Sequence, residues 1–196
     1  MNDKAVGASE SRPDMETIYR ILRGRRTVHD FQQKHVPDSL IVKAIDVARW
    51  APNHHRTEPW NFYILGERAR GNIAALNADL VRASKGERAA EIKLKRWSAM
   101  PGWLVLTCCR SEDSVRSRED YAACCCAAQN MMLYLWAEGV GVKWTTGQVT
   151  ELDAFYSGVG IDQKHEYVVG LFWYGWPRTV VQQHRKPVDV LIEKVD

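Results

Sequence analysis

Four short stretches carry side chains whose types and spacing suit ligand chemistry. Arg25-Arg26-Thr27 sets two forked guanidinium donors beside a hydroxyl, the donor set a phosphate monoester accepts. Ala51 to Phe62 (APNHHRTEPWNF) puts two prolines, two histidines and Trp60 into one connection, a loop built to hold something. Trp144-Thr145-Thr146-Gly147 closes an apolar run with an aromatic, two hydroxyls and a glycine, where free backbone N–H groups can meet a ring nitrogen. Arg185-Lys186-Pro187 adds two cations after the last strongly apolar run, from which they can return to the same phosphate. Together these pieces suit a flat, phosphorylated redox cofactor. Singly, each has a plainer reading: cations favour a helix C-terminus, a basic tail is simply solvated, and eight tryptophans more often fill a core than a cofactor site.

Other chemistries fit less well. His54 and His55 invite a metal, yet His29, His35, His165 and His184 stand singly and no HExxH occurs, so no metal site is expected. The five cysteines fall as Cys108-Cys109 and Cys124-Cys125-Cys126. Adjacent side chains diverge on a helix or a strand, which argues against both zinc and disulfides. Small buried thiols in a reducing cytoplasm are the expectation. No G-x-S-x-G elbow is present, and Gly139-Val140-Gly141 follows a helix and precedes a strand, the reverse of a dinucleotide-binding turn.

These residues need elements to position them. With 196 residues, 45% hydrophobic and 26% charged, the chain can bury one core. A net charge of +3 does not call for nucleic acid, and no apolar run is long enough to span a bilayer. Residues 1–14 read as a flexible leader and 15–196 as one domain. Pro13-Asp14 opens a helix with Met15, Ile18, Ile21 and Leu22 apolar, ending near Gly24 with the arginines at its C-terminal end. Pro37-Asp38 opens a second, periodic to Trp50. Strands are expected at Trp60–Leu65, Trp103–Cys109, Val142–Thr145 and Tyr167–Trp176, with one or two surface helices over 66–97. Between Asp120 and Glu138 lies the strongest helix, apolar nearly all round and ended by Gly139, which predicts a central buried position. Strands alternating with helices argue for an α/β or α+β sheet. The tail from Arg178 carries VDVLI, apolar enough to dock on a neighbouring subunit.

In this order the pieces resemble the FMN-dependent nitroreductase family, in its compact subgroup. The resemblance runs from about Ile18 to about Val190, through RGRRTVHDF, VARWAPNHHRTEPWNFYIL, YAACCCAAQNMMLYLWAEGVGVKWTTG, VVGLFWYGWP and RKP. It implies an α+β fold with a central, mostly antiparallel sheet packed by helices, in an intertwined homodimer with two FMN sites at the interface. Arg25, Arg26 and Thr27 would hold the phosphate and ribityl chain, helped by Arg185 or Lys186. His29 would stand near flavin N1. Trp144, Thr145, Thr146 and Gly147 would line the isoalloxazine near N5, and Trp50 and His54 would approach from the other subunit. The implied activity is ping-pong reduction of nitroaromatics, quinones or a related acceptor by NAD(P)H, with no dedicated acid–base residue, in a cytoplasmic enzyme without nucleic-acid or membrane partners. A flavin carrier or sensor without turnover is the alternative on the same scaffold.

Three positions depart from the family pattern: His29 where Lys or Arg is common, Arg56 where Asn is common, and Glu58 where Gln is usual. A carboxylate beside a flavin disfavours its anionic reduced form, so Arg56 is expected to neutralise Glu58. The basic stretch Arg82 to Arg96 lies where the family places a variable segment over the active site. It reads either as a solvated helix face or as an attractor of anionic substrate or the NADPH 2′-phosphate.

Overall fold

A computed structural model of the chain describes residues 14–195. The expected leader therefore lies outside the described residues, except Asp14, which belongs to the first helix as its cap. Its carboxylate accepts from the Glu16 and Thr17 N–H groups at 3.1 and 3.2 Å and starts α1 (Met15–Gly24). Helix α2 (Asp38–Ala48) follows Pro37, whose fixed φ suits a helix start. Strand β1 (Trp60–Ile64) leads into α3 (Glu67–Lys85) and α4 (Glu87–Ser98), separated at Gly86, whose φ of 83° only glycine adopts readily. Then come β2 (Gly102–Cys109), α5 (Ser114–Ala137), β3 (Gly141–Thr145), α6 (Asp153–Val159) and β4 (Glu166–Gly175).

The four strands form one antiparallel sheet in the order β1-β2-β4-β3. Alternation along each strand divides it into two faces. One face (Trp60, Leu104, Leu106, Val142, Phe172, Tyr174) packs on α2 and α5. The other (Leu65, Trp103, Val105, Leu171, Trp173) packs on α3, α4 and α6. Along β2 and β4 the register shifts: Leu106 faces Gly170 but Thr107 faces Val168, leaving Val169 as a bulge. At that bulge the Trp144 indole lies over Gly170, where an added Cβ would come within 2.1 Å of Nε1, and Nε1 donates to the Val169 carbonyl at 3.3 Å.

Two sequence expectations need correcting. Helix α5 begins at Ser114, six residues before the expected start at Asp120, because Asp113 caps it by accepting from the Val115 and Arg116 N–H groups. Nor is it buried all round: Ala123, Cys124, Ala127, Met131 and Leu135 form a buried stripe, while Tyr121 and Cys126 are exposed. Its end is as read. Gly139 has φ 81°, its N–H donates to the Trp136 carbonyl at 3.0 Å, and the Val140 N–H donates to the Leu135 carbonyl at 2.8 Å, which closes a Schellman turn. Cys108 and Cys124 are buried, but Cys109 and Cys125 only partly. Helix α6 went unanticipated, since seven residues carry too little periodicity to reveal it. None of the helices among the described residues is long and apolar enough to cross a membrane.

Candidate cofactor site

The segment after α1 is the spine of the site. Leaving the helix at Arg25, the chain runs beside the free edge of β3, where Thr27 bridges Val142 in parallel and the Val28 N–H donates to the Val142 carbonyl at 3.2 Å. Gly141 makes this approach possible, because a Cβ there would sit 2.4 Å from Val28 Cγ2. Phe31 then bridges Pro177, and the Gln32 N–H donates to the Trp176 carbonyl at 2.8 Å. From Arg25 to His29 the chain spans at most about 14 Å.

At the Arg25 end lies a depression of about 690 Å³ lined by Arg23, Arg25, Arg26, Arg185 and Lys186, with no carboxylate among the lining residues. Residues 160 positions apart in sequence thus meet. Burial first, then the charges of Arg185 and Arg26, push the Arg25 guanidinium below its usual range, the mark of cations gathered without a counter-ion. Arg26 is differently placed: its Nη1 donates to the carbonyls of Arg23 at 2.5 Å and Arg25 at 2.9 Å, so it also closes the end of α1.

At the His29 end a cavity of about 170 Å³ is lined by Lys93, Arg96, Lys143, Thr145, Thr146 and Gly147 over a floor that includes Trp97 and Trp173. Lys143 and Thr145 point to the same side of β3, and Lys143 Nζ sits 4.8 Å from the Trp173 ring centre. Burial, then Arg96 and Lys93, hold the Lys143 ammonium below its usual range. Burial, Lys143 and Arg96 likewise push the His29 imidazole down. Asn77 lines the cavity with 8% of its surface exposed, and its Nδ2 has no hydrogen-bond partner among the described residues. The Trp173 indole Nε1 is also buried and without a partner among those residues. A cavity rich in donors and cations, with the Trp97 and Trp173 indoles packed edge to face beneath it, fits a planar ligand rich in acceptors, such as the pyrimidine portion of an isoalloxazine.

The loop 51–62 stands elsewhere. Trp60 starts β1 and Thr145 ends β3, so both lie toward one end of the sheet, but on its two outer strands, which are three strand spacings or about 14 Å apart across the sheet. Trp50 is 75% exposed and lines one depression with Arg56 and Glu58, while His54 lines another with Asp113 and Glu119. The loop is held in an unusual shape: His55, Arg56 and Glu58 have φ of 58°, 51° and 45°, rare for residues with a side chain. Asn53 fixes it, with Nδ2 donating to Thr57 Oγ1 at 2.9 Å and Oδ1 accepting from the Glu58 N–H at 2.7 Å. The Thr57 hydroxyl in turn donates to the buried Asp120 carboxylate of α5, which also faces Arg116 at 3.6 Å. The expected Arg56–Glu58 ion pair does not form among the described residues. The loop is tied by Asn53 and Asp120 through its backbone and Thr57, not by those two charges.

Of the twelve residues singled out in sequence, the structure gathers Arg25, Arg26, Arg185 and Lys186 in one place and Thr145, Thr146 and Gly147 in another, with Thr27 and His29 along the spine between. Trp144 lies on the opposite sheet face from Thr145, tilted by 37° against Phe172 with ring centres 5.1 Å apart. Trp50 and His54 do not meet either cavity within one chain. Asn77, Lys93, Arg96 and Lys143 went unrecognised as individual lining residues. For Lys143 a signal existed, since residues two apart on a strand share a face. Asn77 gave none, being one polar residue on a helix.

The sequence model of the Nitroreductase family matches residues 22–176. A Bacillus subtilis (strain 168) protein provisionally named as the NAD(P)H nitroreductase YfhC is 30% identical over 176 residues, which cover 84% of this chain and 90% of that one. Among solved structures, a nitroreductase-like family protein from Bacillus cereus is 28% identical with a TM-score of 0.81, covering 96% of this chain and all of that one. The FMN-dependent nitroreductase NfnB from Mycobacterium smegmatis, solved with NADPH, is 16% identical with a TM-score of 0.74, covering 92% and 99%, and shares the fold. With the profile spanning most of the length and the fold reproduced throughout, this chain belongs to the nitroreductase family.

Proposed function

We propose that the protein is an FMN-dependent oxidoreductase that uses NAD(P)H to reduce nitroaromatics, quinones or a related acceptor, and that it works as a homodimer. One observation carries the reading: the spine Arg25–His29 has a carboxylate-free cation cluster at one end and a donor-lined, indole-floored cavity at the other. Arg25, Arg185 and Lys186 hold the phosphate, Arg26 orders the helix end beside it, and Thr27 faces the ribityl chain. Thr145, Thr146 and Gly147 border the ring, and Asn77 donates to it. When bound, FMN supplies two-electron transfer, accepting from NAD(P)H and giving to the acceptor in turn. The chain's part is binding, orientation and electrostatics, which is why no acid–base pair is needed at the cavity.

The dimer is supported by apolar surface that one chain leaves uncovered. Met15, Tyr19 and Leu22 of α1, Trp50, and Val188, Val190, Leu191 and Ile192 of the C-terminal arm are all exposed, Leu191 at 68%. A second copy laid on these surfaces would also bring its Trp50 and His54 toward the cavity, which they do not line in their own chain. The names of relatives agree with the chemistry: NAD(P)H for YfhC, FMN and NADPH for NfnB.

The test is the purified protein itself. A flavin spectrum that bleaches anaerobically with NADH or NADPH and returns when a nitroaromatic or quinone is added is expected, at a sedimentation mass of two chains. A yellow protein that NAD(P)H never bleaches would leave a carrier rather than an enzyme.

A further inference from the structure

We infer that Lys143, with Arg96 behind it, supplies the positive charge facing the pyrimidine edge of the bound flavin, and that His29 does not. The inference rests on the flavin reading above. Reduction of a flavin places negative charge on the N1–C2 carbonyl edge, so a cation there binds the reduced form better than the oxidised form. Position 29 is the obvious place to look, at the end of the spine beside the cavity. Its side chain is an imidazole pushed away from protonation by burial and by Lys143 and Arg96, so near neutral pH it is uncharged.

Lys143 meets the requirement geometrically. It sits on β3, a rigid element, two residues before Thr145, and both line the same cavity. Its ammonium is held over Trp173 at 4.8 Å, in register across the sheet, since Lys143 pairs with Trp173 on β4. Among the described residues it forms no salt bridge, and neither do Lys93, Arg96 or His29. No carboxylate of the described residues lines the cavity. A half-buried cation without a counter-ion is an expensive arrangement that an anionic partner would relieve. Arg96 reaches the same cavity from α4 but is itself exposed, so its field is weaker there.

The experiment compares Lys143→Met, Lys143→Arg, Arg96→Met and His29→Ala, each freed of flavin and titrated with oxidised FMN and, anaerobically, with reduced FMN. Lys143→Met is expected to weaken reduced FMN about tenfold more than oxidised FMN, the effect of one partly solvated charge a few ångströms away. Lys143→Arg should restore the ratio, Arg96→Met should move it less, and His29→Ala should leave it near that of the parent. If Lys143→Met binds both forms in the parent ratio, or if His29→Ala produces the tenfold change, the assignment is overturned. If the parent apoprotein fails to bind FMN saturably, the flavin reading falls and takes this inference with it.

Discussion

Replacing Arg25 with methionine should weaken FMN while sparing, or even strengthening, the empty protein. Arg25, Arg185 and Lys186 converge on one depression of about 690 Å³, and Arg26 is partly spent on the carbonyls of Arg23 and Arg25. Arg185 also donates to Gln183 and to the His184 carbonyl, at 3.3 and 3.4 Å. No acceptor takes the Arg25 guanidinium among the described residues, so most of its donor capacity is available to a phosphate. A charge-assisted hydrogen bond contributes about 1.5–3 kcal/mol, which corresponds to about a 10- to 150-fold rise in the FMN dissociation constant. The sign for the empty protein is opposite. The folded state lowers the Arg25 pKa through burial and through Arg185 and Arg26, so at every pH below its ordinary range the charge disfavours folding. Removing it relieves that cost at pH 7. The assay is fluorescence titration of apoprotein with FMN and with riboflavin, which lacks the phosphate, alongside melting without flavin. Unchanged FMN affinity would refute the phosphate assignment, as would equal losses for FMN and riboflavin. An apoprotein melting several degrees lower would show instead that Arg25 is structural.

Asp120→Ala removes the buried acceptor of the Thr57 hydroxyl and the neighbour of Arg116, and should cost about 2–3 kcal/mol. A melting point lowered by about 5–10 °C is expected, and a change under 2 °C would show that Asn53 alone holds the loop. Gly170→Ala puts a Cβ 2.1 Å from Trp144 Nε1 at the bulge and should cost about 1–3 kcal/mol, read by melting together with a shifted tryptophan emission. If emission and stability both stay put, Trp144 does not lean on that glycine. His29 has a folded pKa below its ordinary value of 6.5, so the unfolded chain binds the proton more readily and stability falls as pH drops through and below 6.5. His29→Ala should therefore flatten the pH dependence of melting below about pH 6.5; a slope identical to the parent would exclude His29 as its source.

Much of the architecture is legible in sequence because it depends on local physics. Asp14 and Gly139 mark helix boundaries by hydrogen bonds made within a few residues, Pro37 does so by its fixed φ, and the runs that became β1 to β4 are dense in strand formers. The cation pair Arg25-Arg26 and the Thr145-Thr146-Gly147 strand end are equally plain as residue types. Sequence does not say that Asp113 extends α5 back over a charged turn, because charge there looks like surface whether helical or not.

The chain's order of residues determined which groups were available for a phosphate and a ring; tertiary structure decided which of them share a cavity. Strand alternation sends Trp144 to one sheet face and Lys143 with Thr145 to the other, although all three are neighbours in sequence. Sheet order puts the 51–62 loop and Thr145 on opposite outer strands, and folding of α3 and α4 over the second face brings Asn77, Lys93 and Arg96 to the cavity. Such meetings depend on contacts between residues far apart in the chain, which local propensity does not encode. On the inference above, the positive charge near the ring is assigned to Lys143 and not to position 29, because the fold, and not the motif, sets the distances over which charge acts.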